Sequence, residues 1–136
     1  MRVILFRGKR VDNGEWVYSS FIMQDKEHKL LLAEVELFDG EKWRAVDPET
    51  VGQFTGLTDK NGKKIFEGDI VQYQPEYWCE PLQSVVEYCA DKWNYPAFDL
   101  NDHNYAANGL QCVHEEGGCE VIGNIHDNPE LLEVMR

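Results

Sequence analysis

The four residues Asp59-Lys60-Asn61-Gly62 constrain this chain more than any others. Asn-Gly between two β-prone runs is the strongest local signal for a hairpin, because both residues tolerate positive φ. The run before it, Val51 to Thr58, mixes apolar Val51, Phe54 and Leu57 with polar Gln53, Thr55 and Thr58. Such a mixture suits a half-buried strand. Gly52 and Gly56 inside the run point to a bulge or a close backbone approach. Lys63 to Phe66 returns as a short strand, Glu67-Gly68-Asp69 turns again, and Ile70, Val71 and Tyr73 open the next strand. Short strands cornered by glycines predict a mainly β fold: a small twisted β-barrel or sandwich built of hairpins.

The rest of the chain fits that frame. Val3 to Val11 reads as an edge-like strand, and Asp12-Asn13-Gly14 repeats the Asn-Gly turn chemistry. Glu15 to Met23 returns with Trp16, Tyr18 and Ile22 on one face and Val17, Phe21 and Met23 on the other, so both faces are expected to be covered. Asp25 to Lys29 is a charged loop. Leu30 to Phe38 and Trp43 to Val46 read as paired strands around Asp39-Gly40, and Asp47-Pro48 ends the pair. Further strands are expected at Gln83–Cys89, Ala97–Leu100, Leu110–Val113 and Cys119–Ile125, with an irregular stretch over residues 101–109. Asn128 before Pro129 and Glu130 predicts a short C-terminal helix capped by Asn128.

Three segments carry a family resemblance. VGQFTGLTDKNGKKIFEGDIV (Val51–Val71) resembles the core signature of the YopX family of bacteriophage and prophage proteins. FRGKRVDNGEWVYSS (Phe6–Ser20) resembles the family's opening, and EVIGNIHDNPELL (Glu120–Leu132) its closing motif. The resemblance implies a phage or prophage setting and a mainly β fold, and it brings no catalytic residues with it. It frames a single domain over residues 1–136 with a variable, aromatic-rich insertion at about 74–118, a stretch that matches no motif of the family.

Composition narrows the function classes. A length of 136 residues with 43% apolar content supports one ordinary globular domain. No run of about 18 apolar residues exists, and the four-residue apolar stretch near the N-terminus is too short for a signal peptide. The expectation is a protein of the bacterial cytoplasm, away from membranes. Twenty-five acidic residues against 13 basic ones leave a net charge of −12, which disfavours direct nucleic-acid binding. The same acidity admits a mimic of nucleic acid that occupies a host DNA-binding protein.

Little points to catalysis. Asp99, Asp102 and His103 are the nearest thing to an acid–base or metal-binding group, and an enzyme of hydrolase type would be built on them. His114 beside Glu115 and Glu116, and His126 beside Asp127, read as turn and cap residues. Zinc would need Cys112, His114 and Cys119 plus Cys79 or Cys89, but C-x-H-x4-C is not a recognised zinc spacing. No phosphate loop, nucleophile elbow or HExxH motif is present. No cofactor and no metal is therefore assigned. The aromatics are more informative, since residues 73–105 hold half of them, among them Tyr77, Trp78, Trp93, Tyr95 and Tyr105. Aromatics with proline and asparagine resemble protein-binding patches, although they also suit a second small core under long loops. The leading expectation is an accessory protein that works by binding another protein or by self-association through residues 74–110.

Overall fold

Apolar alternation and positive-φ turns generate a mainly β chain. The computed structural model describes residues 4–36, 40–75, 79–89, 97–100, 109–115 and 117–134. The chain forms two compact units, Met1–Phe54 and Thr55–Arg136. Its strands form three antiparallel sheets with open edges, and no closed barrel forms among the described residues.

The first unit is built on β1 (Phe6–Lys9), β2 (Trp16–Ser19), β3 (Ile22–Gln24), β4 (Leu30–Glu36) and β5 (Gly40–Val46). A 3-10 turn at Pro48–Thr50 follows, held by the Asp47 side chain on the Glu49 N–H. Strand β1 lies between β2 and the start of β6 (Gly52–Thr58), pairing Phe6 with Ser19 and with Gln53. The expected edge strand is therefore central. Two features make that possible. The Arg7 guanidinium, in a residue only 5% exposed, lies 4.7 Å from the Trp16 ring centroid, and the Lys9 ammonium lies 5.6 Å from it, so one indole covers two cations. Gly8 lets Val46 and Leu32 approach: a Cβ there would sit 3.0 Å from that of Val46. The small core beneath is Val17, Leu32 and Val46, with Phe6, Leu30 and Val51 packed against it.

The long return strand expected over residues 15–23 is broken. The Ser19 hydroxyl accepts the Phe21 N–H, so β2 ends and β3 starts in a separate sheet, ordered β3-β4-β5. Its two faces are also not both covered: Tyr18, Phe21, Ile22 and Met23 are all exposed.

The second unit begins with the latter half of β6, which hairpins to β7 (Lys64–Phe66). The sheet that follows is ordered β10-β9-β8-β11, from β8 (Asp69–Tyr73), β9 (Leu82–Cys89), β10 (Ala97–Leu100) and β11 (Glu120–Asn124). Two short helices complete it, α1 (Gly109–Glu115) and α2 (Glu130–Val134). Residues 110–113, expected as strand, are helix. Leu110 and Val113 stand three apart and are both 2% exposed, so one helical face enters the core. They join Ile65, Val71, Tyr73, Val86, Leu100 and Cys119.

The C-terminal signature is a clasp. The Asn124 side-chain oxygen accepts the N–H groups of His126 and Asp127, and that of Asn128 accepts the Asn124 N–H. Asn128 does precede the helix, but it caps with its backbone carbonyl, which takes the Leu131 N–H. Its side chain is turned back to β11. A Cβ on Gly123 would meet the Asn128 oxygen at 2.4 Å, so only glycine fits there.

Candidate binding surface

Side-chain chemistry in the second unit converges on Asp59. Its Oδ1 accepts the N–H groups of Asn61 and Lys63, both at 2.9 Å, closing the hairpin loop. Its Oδ2 accepts the Val121 N–H at 3.0 Å, and the neighbouring Lys60 N–H donates to the Cys119 carbonyl at 2.9 Å. Burial alone would raise the carboxyl's pKa. The N–H groups of Val121, Lys63 and Asn61, helped by the Lys63 charge, reverse that and hold it below its ordinary value. The turn is a structural hub: both carboxylate oxygens accept N–H groups of the protein's own backbone.

The first unit contains the same turn. At Asp25-Lys26-Glu27-His28-Lys29, Oδ1 of Asp25 accepts the N–H groups of Glu27 and Lys29, at 2.9 and 2.8 Å. Asp25 N–H donates to the Lys29 carbonyl and His28 N–H to the Asp25 carbonyl, as Asp59 pairs with Lys63 and Gly62 with Asp59. The fourth residue is left-handed in both, His28 at φ 66° and Gly62 at φ 83°. The common pattern is Asp-Lys-x-x-Lys, a signal visible in the sequence that the charged-loop reading of residues 25–29 passes over.

Asp99 is 2% exposed, and its Oδ1 accepts the Leu100 N–H at 2.7 Å and the Leu110 N–H at 3.4 Å. It ties the start of α1 to β10. Asp102 and His103 lie outside the described residues, as do Tyr77, Trp78, Trp93, Tyr95 and Tyr105. Of the other aromatics in the middle, Tyr73 is in the core and Phe98 packs against it. Tyr88 is 48% exposed and meets Phe98 edge to face, with centroids 5.3 Å apart. Cys119 is buried among apolar neighbours and near the Asp59 and Asp69 carboxylates, which together push its thiol up to about 11. Cys79 and His114 are exposed. Among the described residues no three His, Cys, Asp or Glu side chains are grouped to suit a metal ion. No described helix is long and apolar enough to cross a membrane.

Apolar exposure is concentrated elsewhere. Among the described residues, seven of the eight exposed large apolar side chains lie in the first unit: Ile4, Val11, Tyr18, Phe21, Ile22, Met23 and Trp43. Register explains part of this. Leu30, Leu32 and Val46 share the core face of the β3-β4-β5 sheet. Met23 pairs with Leu31 and Leu31 with Ala45, which puts these on the opposite face, joined two residues along by Ala33 and Trp43. Phe21, whose carbonyl accepts the Ala33 N–H, lies at the end of the same row. That outer face offers Phe21, Met23 and Trp43 to solvent, 61, 42 and 39% exposed. Charge is distributed the other way. Residues 55–136 hold 15 acidic and 5 basic residues, a net −10, while residues 1–54 hold 10 and 8, a net −2.

A search of curated proteins finds no match. Among solved structures the chain is similar to protein EF1440 from Enterococcus faecalis, with a TM-score of 0.60 and 23% identity, over 97% of this chain and 99% of that one. That likeness is one of fold. The YopX protein family matches residues 5–133, so the Asp59 hub and the Asn124–Asn128 clasp both fall within the match, and the chain belongs to the YopX family.

Proposed function

We propose that this is a phage- or prophage-encoded accessory protein that acts by binding another protein or by self-association. The observation that supports this is the outer face of the β3-β4-β5 sheet, where an aromatic, a thioether and an indole stand together in water. Soluble domains normally bury such side chains, and aromatic and methionine side chains are enriched at protein interfaces. The aromatic stretch at residues 74–110 remains part of the proposal as a second contributor. The test is affinity capture from a nuclease-treated host lysate beside sedimentation of the purified protein, comparing wild type with Phe21→Ser/Trp43→Ser and with Trp78→Ala/Trp93→Ala. A stoichiometric partner, or a concentration-dependent dimer, that is lost in the first variant supports the outer face. Loss only in the second moves the surface to residues 74–110. Capture or a dimer unchanged in both variants would reject both surfaces, and no partner and no dimer in the wild type would remove the reading.

The net −10 of residues 55–136 favours a second reading, an acidic surface that occupies the nucleic-acid groove of a host protein. Competition with DNA for that host protein, weakening steeply as salt is raised, is the outcome that would select it.

A further inference from the structure

We propose that the Asp25–Lys29 turn is a docking point for an extended segment of a partner protein. The segment would be held by the Asp25 carboxylate and the Lys26 N–H. This rests on the protein-binding reading above and assigns it a polar anchor. The argument is an internal comparison. The molecule contains two copies of one turn, matched in sequence pattern, in four hydrogen bonds and in the left-handed fourth residue. In the copy at Asp59 the turn's two outward groups are in use: Oδ2 takes an N–H, and the next backbone N–H gives to a carbonyl. Both come from the entry into β11: the carbonyl of Cys119, just before the strand, and, two residues on, the N–H of Val121. In the copy at Asp25, where the following residues 26–29 are exposed, neither of the same two groups has a partner among the described residues.

The chemistry of the ligand follows from the filled copy. It is an extended backbone presenting a carbonyl at one residue and an N–H two residues later on the same edge. An ionised carboxylate is a strong acceptor for such an N–H. Strand β3, which leads into the turn, is an edge strand of its sheet, and its exposed Met23, with Phe21 just before it, offers apolar contact to the incoming segment. The turn carries an exposed Lys29–Glu27 ion pair at 3.1 Å.

The probe is a capped peptide copying residues 118–124, with serine for its cysteine, titrated into nitrogen-15-labelled protein. Binding should shift the Lys26 amide and the amides of Phe21 to Asp25. In Asp25→Asn the remaining side-chain oxygen still accepts the Glu27 and Lys29 N–H groups, while the new amide faces the ligand with a donor. Affinity should fall about tenfold, the size of one lost charge-assisted hydrogen bond, with the Glu27 and Lys29 amides in place. Equal binding by Asp25→Asn, or no shift in wild type at millimolar peptide, overturns the docking point. Shifts of the same amides on simple concentration overturn the partner form, because a second copy then takes the site. Sensitivity to Phe21→Ser/Trp43→Ser without sensitivity to Asp25→Asn would leave the protein-binding reading standing and the anchor rejected.

Discussion

The Asp59 carboxylate accepts the Val121 backbone N–H at 3.0 Å across 62 residues of sequence. It joins the β6–β7 hairpin to β11, and the same side chain shapes the hairpin turn. Replacing it with asparagine keeps the turn but sets a donor against the Val121 N–H. Asp59→Asn should lower stability by about 2 kcal/mol, in the range for a hydrogen bond to a charged group. Asp25→Asn, at a residue whose Oδ2 has no partner among the described residues, should stay within about 0.5 kcal/mol of wild type. Urea denaturation of the pair measures the difference.

Acid should expose the same bond. The folded carboxyl of Asp59 titrates below its ordinary value of 3.8. The stability it contributes is therefore present above that value and is lost as pH falls through the folded pKa. Melting temperatures of wild type and Asp59→Asn should differ at neutral pH and converge in strong acid. A gap that stays constant with pH would mean that the interaction does not depend on charge.

His28 holds a left-handed backbone at φ 66° in a position where the matching turn has Gly62. A side chain there costs about 1–2 kcal/mol, partly returned by glycine's greater freedom when unfolded. His28→Gly should therefore raise stability by about 0.5–1 kcal/mol, and Gly62→Ala should lower it by at least as much. Thermal melts of both variants check the sign.

The Asx clasp can be tested as a coupled pair. Gly123→Ala puts a methyl 2.4 Å from the Asn128 side-chain oxygen and should destabilise by about 2 kcal/mol or more. In an Asn128→Ala background the clash disappears, so the second substitution should cost much less. A double-mutant cycle with no interaction energy would remove the clasp.

Cys119 is held as a neutral thiol, with a pKa of about 11 against an ordinary 9.0. Its contribution to stability is complete below 9 and declines as pH rises toward 11. At pH 8 its thiolate fraction is about 0.1%, so alkylation should label exposed Cys79 first and reach Cys119 only on unfolding. Peptide mapping after timed labelling reads the order.

The sequence showed its turns and strands more clearly than their neighbours. The hairpin around Asn61-Gly62, the pair β4–β5 and the final strand were legible because turn chemistry and alternation are local. Which turns are alike was not. The Asn-Gly echo at residues 12–14 is the more visible likeness in sequence, yet the structural counterpart of Asp59–Lys63 is Asp25–Lys29, where histidine stands in for glycine. The helix at residues 109–115 reads as strand by composition, and only the burial of Leu110 and Val113 three apart reveals it. Arg7 looked like an edge residue because a sequence does not show that Trp16 covers it. The outer face of β3-β4-β5 was hidden for a similar reason. Its members come from three strands, and alternation alone cannot say which face meets a core. Tyr77, Trp78, Trp93, Tyr95 and Tyr105, which composition favours as a binding patch, lie outside the described residues.

The two oxygens of Asp59 close loops of very different length. One is local, within residues 59–63, and the other spans residues 59–121. Loop-closure cost rises with the logarithm of separation, so the local ring forms readily in a chain that is still largely unfolded. By holding the carboxylate in place, the Asn61 and Lys63 N–H groups orient its second oxygen before β11 arrives. Assembly of this unit is then a search by a late strand for an acceptor already aimed, and the hairpin serves as the template on which the end of the chain is read.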